Sequence, residues 1–140
     1  MLTVHTALEI LESSEPFADW KKTHTDSYLC HCMQLLDDKD AWHVGFYNPD
    51  HTITTFVVTQ RIVDQQEADE VFKENTHAVK GLERDRIELS AEKAVSIAKE
   101  KCAELYPQEV LSKHLVLLQH LDIGQVYNVT FITLSMSTLN

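Results

Sequence analysis

The decapeptide Leu89–Ala98, L-S-A-E-K-A-V-S-I-A, constrains this chain most, because it has an echo at Leu2–Leu11, L-T-V-H-T-A-L-E-I-L. Both read Leu, then Ser or Thr, three variable residues, Ala, an aliphatic residue, a polar residue, Ile and a small or aliphatic residue. The offset holds through all ten positions, Ala94 answering Ala7 (94 − 7 = 87). Such self-similarity predicts one supersecondary unit used twice.

Each copy reads as a helix start. Thr3 and Ser90 stand at N-cap positions, where a hydroxyl oxygen accepts from a free first-turn amide. Leu2 and Leu89 precede the caps as hydrophobic staples, and Glu92 complements the positive end of the helix dipole. Ala94, Ile97, Ala98, Cys102 and Leu105 recur at helical spacing as one apolar stripe. In the first copy the stripe is Ala7, Ile10 and Leu11. Pro16 disfavours helix at Glu15, so a break and a short second turn through Phe17, Ala18 and Trp20 are expected there. The second helix should end near Leu105, ahead of Pro107.

A hairpin succeeds the first helix. Ser27–Leu36 and Ala41–Asn48 read as strands around an Asp37-Asp38-Lys39-Asp40 turn, with Leu29, Met33 and Leu35 expected on the face of Trp42, Val44 and Phe46. Asn48-Pro49-Asp50-His51 is a second turn. Thr52–Val58 is a third strand, expected to run on toward Val63. The second half repeats the order: strand Lys113–Leu121, turn Asp122-Ile123-Gly124-Gln125, strands Val126–Thr133 and Ser135–Leu139. Tyr127, Val129 and Phe131 fall where Trp42, Val44 and Phe46 fell (127 − 42 = 85). The division is therefore a first unit over 1–63, a connector over 64–86 and a second unit over 87–140. In the charged connector, Glu67–Lys73 is expected to form a short helix anchored by Val71 and Phe72.

Composition narrows the classes. A chain of 140 residues with net charge −10 disfavours nucleic-acid phosphates and anionic membranes as partners. No apolar run approaches membrane-spanning length and no signal-peptide layout opens the chain. Three cysteines make no disulfide framework. The expectation is a soluble cytoplasmic protein.

Candidate chemistry is sparse. In a regular strand Cys30 and Cys32 point to one face, and the expected hairpin register adds His43 to it. That trio could begin a zinc site, but a structural site needs a fourth ligand, so no metal and no cofactor is assigned. Cys102, on an apolar stripe, reads as core packing. His114 and His120 flank a strand with no triad partner in view. The acidic run Asp64–Glu74 lacks the ligand spacing of a calcium loop. Trp20 and Tyr28, at the helix–strand junction, are the aromatics expected to be partly exposed as a contact patch.

The helix start L-[ST]-x-x-x-A-[LV]-x-I, then a hairpin whose second strand opens on an aromatic (Trp42-His43-Val44-Gly45-Phe46; Tyr127-Asn128-Val129-Thr130-Phe131), resembles the PepSY domain. That family is similar to cystatins in shape, a helix cradled by an antiparallel sheet. The resemblance implies an α+β fold of two tandem helix-plus-three-stranded units packed together. It also implies a role as a module that inhibits or chaperones peptidases. The expected function is a non-enzymatic binding module for a protein or peptide, taken up at a sheet edge, with homodimerisation as the related use of such an edge. The alternative is a small-molecule-binding protein or enzyme with a pocket between helix and sheet.

Overall fold

The computed structural model describes residues 2–35, 40–70, 80–133 and 138–139. Helices α1 (Val4–Glu12), α2 (Glu15–Thr23) and α3 (Ala91–Leu105) pack on one antiparallel sheet. Its strands are β1 (Tyr28–Leu35), β2 (Trp42–Tyr47), β3 (Thr52–Val58), β4 (Val63–Gln65), β5 (Asp69–Glu70), β6 (Leu111–Leu121), β7 (Gly124–Thr133) and β8 (Thr138–Leu139). The order is β4-β3-β2-β1-β6-β7-β8, with β5 beside β3. The class is thus α+β, and both halves of the chain contribute to a single sheet joined at β1 and β6.

The caps lie where the two decapeptides place them. Thr3 Oγ1 accepts from the Thr6 amide at 3.2 Å, and Ser90 Oγ from the Lys93 amide at 3.1 Å. The break before Pro16 comes at Ser13-Ser14, but the second segment is a full nine-residue helix rather than a single turn. Pro16 sits in its first turn, where a missing N–H has no partner to lose. Ser14 caps α2 and also donates to the Leu11 carbonyl at 2.6 Å, holding the two helices at their joint.

The largest departure from the expected hairpin is one residue. Leu29 pairs with Phe46, but His31 pairs with Gly45 and Cys32 with Val44, so Cys30 is an extra residue, a bulge. An extra residue reverses the phase of everything after it. Leu29 therefore shares a face with Phe46 and Val44 as expected, whereas Met33 pairs with His43 and lies with Leu35 on the opposite face. Cys32, 0% exposed, takes the place in the core that Met33 was expected to fill.

Three further differences arise from turn chemistry. β3 ends at Val58, and a turn closed by the Thr59 amide on the Ile62 carbonyl at 2.9 Å returns the chain as β4 along β3. Residues 69–70 pair with β3 as β5 and are not helical. Val71 and Phe72, the expected anchors, lie outside the described residues, as do the tip of the first hairpin turn at 37–39 and the start of the last strand at 135–137. Leu121 pairs directly with Gly124, so the second hairpin turns on Asp122-Ile123 alone, with Gly124 at φ +126°.

All the helices pack on the face carrying Trp42, Val44, Phe56 and Val58. Leu2, Val4, Ala7, Leu8 and Leu11 fill that face from α1 and its cap. From α2, Phe17 and Trp20 pack on Phe46 and Phe56, with ring centroids 5.3–5.6 Å apart. The second half is looser. α3 buries Ala94 and Cys102, while Ile97 is 49% and Leu105 59% exposed. Among the described residues no helix is long and apolar enough to cross a membrane.

Candidate functional site

The looseness of α3 opens a cleft between its N-terminal half and the start of α1. One wall is Leu2, Val4 and His5; the other is Ala91, Val95, Ser96 and Lys99; Gln34, Trp42 and His114 form the floor. Its volume is about 480 Å³, within the range of small-molecule sites. The walls are held by named contacts. Trp42 Nε1 donates to the Leu2 carbonyl at 2.8 Å, and His5 Nε2 meets the Ile87 carbonyl at 2.9 Å, fastening α1 to the segment leading into α3. Tyr127 donates from its hydroxyl to the Leu89 carbonyl at 2.7 Å. Burial, with the Cys32 thiol nearby, pushes the Tyr127 phenol up to about 12, which keeps that donor protonated.

The floor brings two buried polar side chains, Gln34 and His114, into a site also lined by the polar and charged side chains of His5, Glu88, Ser90, Glu92, Ser96 and Lys99. They come from neighbouring strands: Gln34 pairs with Val116, two residues from His114 on β6. His114 also sets its ring edge-on to Phe131 at 5.9 Å. The chemistry available is hydrogen bonding from Gln34, His114 and Ser96, and charge of both signs at Lys99, Glu88 and Glu92, beside the apolar surfaces of Leu2, Val4 and Val95.

On its other side α3 borders a wider groove of about 830 Å³ against the β6–β7 hairpin, lined by Leu89, Ile97, Leu121, Ile123, Val126 and Val129. Ile123 at the hairpin tip is 86% exposed.

The residues singled out from the sequence do not converge. The bulge puts Cys30 and His31 opposite Gly45, while Cys32 stands beside Val44 and His43 opposite Met33. Cys32 and His43 therefore occupy opposite faces, and the expected trio of Cys30, Cys32 and His43 does not form one cluster. Burial pushes the Cys30 thiol up to about 12, and Cys32 is raised further in the same direction. Among the described residues no group of three or more His, Cys, Asp or Glu could hold a metal ion. Cys102 is buried. His120 bonds the Gly81 carbonyl at 2.9 Å and orients the connector, while His114 lies in the cleft floor. Trp20, expected to be partly exposed, is 5% exposed because α2 is a full helix that turns it into the aromatic cluster; Tyr28 is 38% exposed.

Gln34, His5, Val95 and Lys99 were not among the candidates read from the sequence. Gln34 alone carries a legible signal, a polar residue in an apolar strand. Its face, however, depends on the bulge four residues earlier. Comparison with family models, with curated proteins and with solved structures gives no match.

Proposed function

We propose that the chain is a non-enzymatic binding module built from two PepSY-like units, 1–63 and 87–140, whose site is the cleft between α1 and α3. Two observations support the duplication. The helix caps Thr3 and Ser90 share the offset of the decapeptides (90 − 3 = 87). The aromatics that open the second hairpin strands make equivalent tethers, Trp42 to the Leu2 carbonyl and Tyr127 to the Leu89 carbonyl.

The observation that carries the binding reading is the cleft of about 480 Å³ with Gln34 and His114 buried in its floor. Apolar walls over a few hydrogen-bonding groups suit a small amphipathic molecule, its apolar body against Val4 and Val95 and its polar end at Gln34 and His114. A fragment library screened by ligand-observed NMR tests this. Fragments that bind the native chain should lose binding in Val95→Trp, which fills the cleft from the α3 wall, with the far-UV spectrum unchanged. Absence of cleft binders, or equal binding to Val95→Trp, overturns the reading.

A second reading, a protein or peptide partner, is supported by the apolar groove on the outer side of α3 with Ile97 and Ile123 exposed on it. The peptidase-modulating role implied by the resemblance belongs to that reading. Fragments or peptides displaced by Ile97→Glu and untouched by Val95→Trp distinguish it.

A further inference from the structure

We propose that residues 80–90 are a releasable strap whose fastened state completes the cleft between α1 and α3, so that the cleft is occupied only while the strap is closed. The proposal rests on the reading of that cleft as the binding site and names how the site is regulated.

The strap begins where the central ladder stops. β6 pairs with β1 from His31 onward, and Leu29, beyond that ladder, gives its carbonyl to the Leu82 amide at 2.8 Å. Among the described residues this is the one main-chain bond that ties residues 80–89 to the sheet. The Arg86 and Ile87 amides return on the Glu83 and Arg84 carbonyls as a single 3-10 turn. The other fastenings are side chains, and they come from both halves of the chain. From the β6–β7 hairpin, His120 holds the Gly81 carbonyl at 2.9 Å. The Gln125 carboxamide takes both polar groups of Glu83, accepting from its amide at 2.7 Å and donating to its carbonyl at 3.1 Å. Tyr127 donates to the Leu89 carbonyl, and Asp122 pairs with Lys80 at 3.1 Å. From α1, His5 holds the Ile87 carbonyl and Glu12 pairs with Arg84.

Burial holds this segment lightly. Of residues 80–90 only Ile87 is buried, with Leu82 half-buried on the same core cluster. Side-chain hydrogen bonds contribute modestly to stability and exposed ion pairs little. Segments with few buried apolar contacts and exposed hydrogen bonds open at a fraction of the global unfolding free energy. The strap therefore has the makeup of a segment that opens locally while the β1–β6 ladder stays paired.

Its position gives that opening a consequence. Ile87, Glu88 and Leu89 line both the cleft and the outer groove, so this stretch, with the helix it leads into, is the wall between the two. Fastened, it completes the cleft around Gln34 and His114; released, it takes that wall away. A molecule seated against residues 87–89 binds the closed state alone, and by linkage it holds the strap shut.

Native-state amide exchange read by NMR on the full chain in low urea tests the strap without any ligand. The Leu82 and Ile87 amides should exchange faster than those of the β1–β6 ladder, through an opening that urea does not promote. Gln125→Ala, which removes both bonds to Glu83, should speed both amides about tenfold, with the ladder changed less than about twofold. Tyr127→Phe, which keeps the ring and loses only the bond to Leu89, should speed both about fivefold from the opposite end. Strap amides that exchange only with the ladder, or a response confined to the amide nearest the lost fastening, overturn the strap. The ligand arm uses a fragment whose binding is lost in Val95→Trp. At about ten times its dissociation constant it should slow both amides about tenfold. Such a fragment that leaves strap exchange unchanged overturns the proposal and leaves the cleft reading intact. Absence of any cleft binder overturns the cleft reading and, with it, the strap as its gate, whatever the ligand-free exchange shows.

Discussion

At the scale of single residues the molecule depends on a few positions where one atom decides. Cys30 is the first, since its insertion as a bulge turns Met33 and Leu35 out of the core and Cys32 into it. Gly45 is the second. It admits the His31 ring, and its replacement by alanine forces a methyl into an occupied volume. Overpacking of this kind costs typically about 1–3 kcal/mol. Gly45→Ala should therefore be less stable to urea than the native chain by an amount in that range. The double variant His31→Ala/Gly45→Ala should recover part of the loss, because the clash partner is gone. Equal loss in single and double variants would mean that the two positions are not in contact. Asn48 is the third. It is buried at the β2–β3 turn, accepting from Ser27 Oγ at 2.5 Å and donating to Thr54 Oγ1 at 2.9 Å, so the turn carries its polar group satisfied.

At the scale of elements the contrast is between α1 and α3. The first is nine residues long and buries Val4, Ala7, Leu8 and Leu11. The second is fifteen and buries Ala94 and Cys102. Helices draw most of their stability from packing rather than propensity, so opening free energies should differ along the chain. Amide exchange should be faster at α3 than at α1, with protection in α3 rising when a cleft ligand is bound. Exchange in α3 as slow as in α1 would contradict the reading of α3 as a lightly held wall. The same contrast explains why α3 has clefts on both sides. Its stripe of Ala94, Ile97, Ala98, Cys102 and Leu105 is as regular as that of α1, yet among the described residues no second helix comparable to α2 closes over the sheet beside it.

At the scale of the whole molecule the β1–β6 ladder makes one body of two halves. Five residue pairs join them, from His31 with Gln119 to Leu35 with Leu115, and Leu118 of the second half belongs to the core cluster of the first. Trp20 and Trp42 both report on the first half, while far-UV dichroism reports on both. Their urea transitions should coincide, as for a single cooperative unit. Two separated transitions would show that the halves unfold independently and that the ladder couples them weakly.

Helices α1 and α3 and the long strands were legible in the sequence because their causes are local. Thr3 and Ser90 cap the helices they precede, Pro16 marks the break between α1 and α2, and the apolar runs in 113–121 and 126–133 on either side of Asp122-Ile123-Gly124-Gln125 mark the second hairpin. Only the tertiary structure decided which side of the sheet Met33, Leu35 and Cys32 occupy, that β3 stops at Val58, and that Gln34 and His114 both line the cleft between α1 and α3. Each of these depends on a bulge, a turn or a strand pairing between residues distant in sequence. Side-chain patterning specifies which residues seek burial, but the partner that covers them is chosen by register, and register is a property of two segments at once.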